Sequence, residues 1–157
     1  MSPTPRSAVE SSPSIGDLAT RNLVRGMQEP RGSYEIYFPA PHVCLSRARG
    51  HISVAFAELV PAAFEAHGSQ AEPIVTFNDW EGVTSYDSEA RRLLTIWTLS
   101  NARKLRTAEF LVRSRIVAMG IAAANLATKA IRLPLVSHTN RSDFEKSLAR
   151  ALGQTFA

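Results

Sequence analysis

Asp87 and Ser88 stand side by side at the point where an amphipathic pattern begins. A carboxylate and a hydroxyl there can accept hydrogen bonds from the first free backbone N–H groups of a helix. The same place favours an added phosphate, because those N–H groups and the helix dipole point at it. Ser88 is therefore a cap and also the candidate phosphorylation site. Asp79 follows the apolar run 74–77 and precedes Trp80. It sits either at the carboxyl end of a strand, where parallel sheets present ligand sites, or in a polar turn over 79–82. His42, His51, His67 and His138 are scattered without paired Cys/His spacing, so no metal site is expected. Cys44 alternates with apolar neighbours and reads as a buried, inert thiol. GxSxG, P-loop and GxGxxG patterns are absent, so no catalytic residue and no cofactor is expected, and the chain reads as non-enzymatic.

The elements that must position these residues follow from hydrophobic period. Residues 34–38 alternate and are rich in aromatic and β-branched types, which suits an edge strand. Pro39 and Pro41 break it, and 42–48 reads as a second strand ended by Gly50. Ile52, Phe56, Leu59, Val60 and Phe64 recur at helical spacing up to the His67-Gly68 stop. Residues 74–78 form a buried strand and 88–105 a long helix with Leu93, Leu94, Ile96, Trp97 and Leu105 turned inward. Residues 109–114 read as a strand, and 116–128 as an Ala-rich helix in which Gly120 and Ala124 allow close approach. Residues 131–136 form a last strand, with Pro134 marking an edge or end. A capping box at Ser142 and Glu145 opens a terminal helix that Gly153 closes. Trp97 and Met119 lie on apolar helix stripes and are expected in the core. The alternation implies an α/β layer with a mixed, mostly parallel sheet under about four helices.

Composition sets the remaining bounds. The 157 residues fit one domain, and 45% hydrophobic with 20% charged content is ordinary for a globular chain. Residues 1–30 are rich in Ser, Pro, Thr and Gly and are expected to form a disordered tail, with a transient helix over 15–27, before a domain spanning 31–157. A single cysteine excludes an internal disulfide framework. The nearly apolar run 116–127 is too short to span a bilayer, and the first residues lack the apolar stretch of a secretory signal. No membrane insertion and a cytoplasmic location are expected. The net charge of +4 conceals an asymmetry, −6 over residues 34–90 and +8 over 91–132. The basic block leaves an anionic partner such as nucleic acid open, although it lacks the interleaved aromatics of a single-strand binder.

The order of elements, with Gly82-Val83-Thr84-Ser85-Tyr86-Asp87-Ser88 leading into the second helix, resembles the STAS domain, the family of sulfate-transporter C-terminal domains and anti-sigma factor antagonists. The likeness covers residues 34–152, and the closing strand and helix at 134–152 sit where the family has them. The resemblance implies a non-enzymatic regulatory or scaffold module that binds another protein, such as a kinase-like regulatory partner. Its contact surface would comprise Asp79, Thr84, Ser85, Asp87, Ser88, Glu89, Arg91 and Arg92. The chain departs from the family where the phosphorylated hydroxyl should follow the Asp-Ser pair, for that position is Glu89, and the following Gly is Ala90. A carboxylate in the first turn suits the helix dipole by ~0.3–1 kcal/mol and cannot accept phosphate. The alternative function is a carrier of a small apolar or lipid-like ligand between sheet and helices, favoured by an enclosed apolar cavity and excluded by a solid core.

Overall fold

The computed structural model describes residues 23–153. Its chain runs β1 Leu23–Glu29, β2 Gly32–Ala40, β3 Val43–Ile52, α1 Val54–His67, β4 Ile74–Tyr86, α2 Ser88–Ser100, β5 Leu105–Val112, α3 Arg115–Thr128, β6 Leu135–His138 and α4 Arg141–Ala151. The six strands lie in sequence order in one sheet. The first two pairings are antiparallel and the next three parallel. The crossovers between successive parallel neighbours place α1, α2 and α3 on one face. Their core residues Phe56, Ala90, Val117 and Ile121 meet Ile36, Ile52, Val83 and Val112 there. On the opposite face α4 is the one helix among the described residues, and it packs Phe144 and Leu148 against Leu45, Phe77 and Leu111. The mixed α/β architecture is thus the one expected, and Trp97 packs on the first core through an edge contact with Phe64 at 4.7 Å.

Several local readings need correction. Leu23–Glu29, assigned to the tail and to a transient helix, is a strand paired with Gly32–Tyr37. Residues 1–22 lie outside the described part. Gly50 does not end β3: it adopts φ 75 inside it, because a Cβ there would collide with the Arg31 carbonyl oxygen. The expected turn at 79–82 is the middle of β4, whose pairing with β3 shifts register between Arg47 and Arg49 and again between Gly50 and His51. These bulges absorb the polar residues without ending the strand. The second helix stops at Ser100, and Leu105 opens β5. Ile96 and Met119, expected inside, are 45% and 66% exposed, because among the described residues no further element packs outside α2 and α3. The last helix is capped by Asn140, whose Oδ1 accepts from the Ser142 and Asp143 amides at 2.8 and 3.3 Å. Ser142 therefore lies inside the helix, and the capping box is not formed. Gly120 meets its expected role, for a Cβ there would lie 2.8 Å from the Tyr86 hydroxyl.

Candidate functional site

The ends of β3 and β4 bring together three side chains at the entrance of α2. His51 and Ser85 are register partners, and Tyr86 leads directly into Asp87, the residue before the helix. His51 places Nδ1 2.7 Å from Ser85 Oγ and Nε2 2.8 Å from Asp87 Oδ1. The Asp87 carboxylate is turned to His51, so it makes no cap bond to the helix, contrary to the expected capping role. Its backbone N–H donates to the Ile52 carbonyl at 2.9 Å, which ties α2 to the end of β3. In the tautomer that gives Nε2–H to Asp87, Nδ1 accepts a hydrogen bond from the Ser85 hydroxyl. Neither Ser85 nor His51 lines either of the two cavities described below, so this cluster clamps the strand–helix junction.

The first turn of α2 faces solvent. Thr84, Ser88, Glu89, Arg91 and Arg92 are exposed, while Ala90 is the helix's only fully buried residue. Glu89 and Arg92 form a forked ion pair, with Arg92 Nε donating to Oε2 at 2.8 Å. The hydrogen bond from Arg92 holds the Glu89 carboxyl below the usual carboxylate range, and the same contact raises the Arg92 guanidinium. Ser88 occupies the first helical position with its side chain outward.

Asp79 belongs to a different constellation. It is 4% exposed and lies on the α4 face. Arg141 Nη2 donates to both its oxygens at 3.0 and 3.2 Å, and Arg47 Nε stands 3.7 Å away. Arg141 also reaches Glu81 at 3.4 Å and Glu145 at 3.5 Å. Burial works against the Arg141 charge, but these carboxylates outweigh it and raise its pKa above the ordinary value. Arg47, Arg49, Arg113 and Arg141 together with Asp79, Glu81 and Gly82 line a polar cavity of about 230 Å³. Asp79 is therefore an ion-pair anchor rather than a turn former. The expected contact set is divided between two groups, Asp79 in one and Ser85 with Asp87 in the other.

A second cavity, of about 130 Å³, lies between the sheet and α1–α3. Phe56, Phe64, Trp97 and Phe110 are among its apolar walls, and Thr76, Asn78 and Ser46 give it a polar floor. Ser46 Oγ donates to Asn78 Oδ1 at 2.7 Å, and Trp80 Nε1 donates to Ser46 Oγ at 3.2 Å. Cys44 also lines it, and burial pushes its thiol far above the ordinary range, so it stays neutral. In the basic block, Arg103, Lys104, Arg106, Arg113, Arg115, Lys129 and Arg132 are exposed and spread over several elements. Arg92 is the one member that makes an ion pair among the described residues.

His51, Arg47, Arg141 and the Ser46–Asn78–Trp80 chain were not singled out from the sequence. A signal for the first two was present: Leu45, Arg47, Arg49 and His51 alternate along one side of a strand, which marks a face that turns polar halfway. Arg141 carried none, since its partner Asp79 is 62 residues away.

No protein-family profile matches the chain, and no curated protein matches it. The fold is similar to the crystal structure of an uncharacterised protein of the DUF3478 family with a SpoIIAA-like fold, from Shewanella loihica PV-4. The TM-score is 0.59 at 15% identity, over 78% of this chain and 99% of that one. This likeness gives the chain the STAS and anti-sigma factor antagonist type of fold. No helix among the described residues is long and apolar enough to cross a membrane.

Proposed function

We propose that this chain is a non-enzymatic regulatory module that docks a protein partner through the exposed start of α2. One observation carries the reading. Asp87 is withdrawn to His51, so the first N–H groups of α2 have no side-chain cap, and they open onto a rim of exposed Ser88, Glu89, Arg91 and Arg92. Such a rim offers the Glu89 carboxylate to a partner's basic groups and free amide donors to its hydrogen-bond acceptors. Exposed Ile96 and Leu99 further along α2 add apolar area. Phosphate on Ser88 would meet those same amides and the neighbouring arginines, which gives the surface a switch. The partner is a regulatory protein, such as a kinase, working in the cytoplasm.

The test is affinity for a purified partner, measured for the wild type, Glu89→Lys and Arg103→Ala. Charge reversal in the first turn should weaken binding about tenfold or more, while Arg103→Ala should leave it within about twofold. A partner indifferent to Glu89 but dependent on Arg103, Lys104 and Arg106 would overturn the reading in favour of an anionic partner such as nucleic acid.

The apolar cavity favours a second reading, a carrier of a small apolar ligand. Its volume of about 130 Å³ approaches the ~150 Å³ engineered cavity that takes up benzene. Titration with benzene and indole, followed by Trp80 and Trp97 fluorescence, tests it. Saturable quenching that Ala108→Leu abolishes supports a carrier, and no quenching rejects it.

A further inference from the structure

Beyond α4 the sheet carries a row of charges that the partner surface does not use. Three facts place them together. Arg47 and Asp79 follow Leu45 and Phe77 two residues further along β3 and β4, so they continue the side of the sheet that α4 packs, and Arg113, just past the end of β5, lines the same cavity. The register shift between Arg47 and Arg49 sets Arg49 opposite Gly82, where a Cβ would lie 3.2 Å from Arg49 Cγ. Arg141, the first residue of α4, closes the end. The result is the cavity of about 230 Å³ lined by four arginines against two carboxylates.

The acids do not neutralise it. Both oxygens of Asp79 are occupied by Arg141, which also holds Glu81. Arg47 Nε is buried without a hydrogen-bond acceptor among the described residues, at 3.7 Å from the nearest Asp79 oxygen. An orphaned guanidinium N–H costs desolvation that an acceptor would recover. Arg49 and Arg113 are exposed and make no ion pair among the described residues. Two unpaired guanidinium groups, an unsatisfied buried N–H and a net positive lining form a cradle for a tetrahedral oxyanion, since arginine forks match phosphate oxygens.

We propose that this pocket binds the phosphate group of a phosphate monoester. Arg49 and Arg113 grip the outer oxygens, and Arg47 Nε donates to the innermost. Arg141 stays with Asp79 and acts as a positioning residue that keeps the carboxylates turned away.

Calorimetry with phenyl phosphate and inorganic phosphate at low salt tests the site on the full chain. Saturable one-to-one binding is expected. Arg113→Gln should weaken it about tenfold, Arg49→Gln similarly, and Glu81→Gln should tighten it several-fold by removing a facing charge. Arg103→Gln, equal in charge change but outside the pocket, should leave it within about twofold. Thermal melts check that each variant is folded, and Arg113, on the surface, keeps the test valid if Arg49→Gln unfolds. Flotation with phosphatidylcholine vesicles containing phosphatidic acid separates the sources of the phosphate. Co-migration lost in Arg113→Gln assigns a lipid headgroup, and soluble binding without co-migration assigns a small metabolite. Absence of saturable phosphate binding, or equal losses in Arg103→Gln and Arg113→Gln, would overturn the proposal.

Discussion

On one face of the sheet three helices cover the strands and leave a cavity of about 130 Å³ walled by aromatic and aliphatic side chains. On the other, α4 covers the lower halves of β3, β4 and β5, and the upper parts of β3 and β4 carry Arg47, Arg49, Asp79 and Glu81 in a polar groove. The same strands supply both. Because side chains alternate, one strand can hold an apolar row and a row that changes from Leu45 to Arg47 where the covering helix ends. The difference teaches where function can reside: the helical face hides its groups, and the short-covered face exposes them. On the helical face α2 combines the two properties, since Leu94 and Trp97 line the cavity while Ser88 and Glu89 face solvent.

The contrast is largest at Asp79. Asp79→Ala leaves Arg47 and Arg141 without their carboxylate and should cost about 2–4 kcal/mol, less than a fully buried pair because Arg141 is 40% exposed. Urea denaturation measures it. A loss under about 0.5 kcal/mol would mean that the polar groove is not organised by this carboxylate.

The packing of the two faces can be compared directly. Val43 is fully buried beneath α4, so Val43→Phe should overpack and cost about 1–3 kcal/mol. Ala108 lines the cavity, and Ala108→Leu should stay within about 1 kcal/mol of the wild type, because vacant volume receives the added carbons. Equal costs on the two faces would show that the cavity is not open to filling.

Next in size is an alkaline effect. Burial raises the Cys44 thiol far above the ~8.5 of an unfolded chain. Above that pH the unfolded state releases a proton that the native state keeps, so stability falls as pH rises, by up to about 1.4 kcal/mol per pH unit. Tyr37, raised by burial and by its hydrogen bond to Glu35, adds to the fall above about pH 10. The melting temperature should therefore drop between pH 8 and 10, and less steeply in Cys44→Ala. Parallel profiles for the two chains would assign the drop elsewhere.

The smallest effect separates Asp87 from Ser88. Asp87→Ala should cost about 1 kcal/mol through the lost His51 bond, whereas Ser88→Ala should change stability by less than about 0.5 kcal/mol. Equal losses would restore a capping role for the pair.

How much of this was legible in the sequence varies by element. Helix α1 and helix α3 followed from periodicity, because their apolar positions repeat over enough residues to fix the type, whereas the strand read at 109–114 runs Leu105–Val112. The middle of β4 did not, since Asn78, Asp79, Glu81 and Gly82 are turn residues by composition. Two register shifts and the distant Arg141 keep them in a strand, and neither is a local property. Asp87 and Ser88 were correctly placed at a helix entrance, yet the capping bond was diverted by His51, 36 residues away. Strand β1 escaped because Leu23–Glu29 has few large apolar residues and is held mainly by backbone pairing to β2.

Hydrogen–deuterium exchange of the chain, alone and with its purified partner, bears most directly on the docking surface. The expected result is protection concentrated over residues 84–92, with α4 and the 103–106 turn unchanged. Protection confined to residues 103–106, or to α4, with none over 84–92, would contradict it.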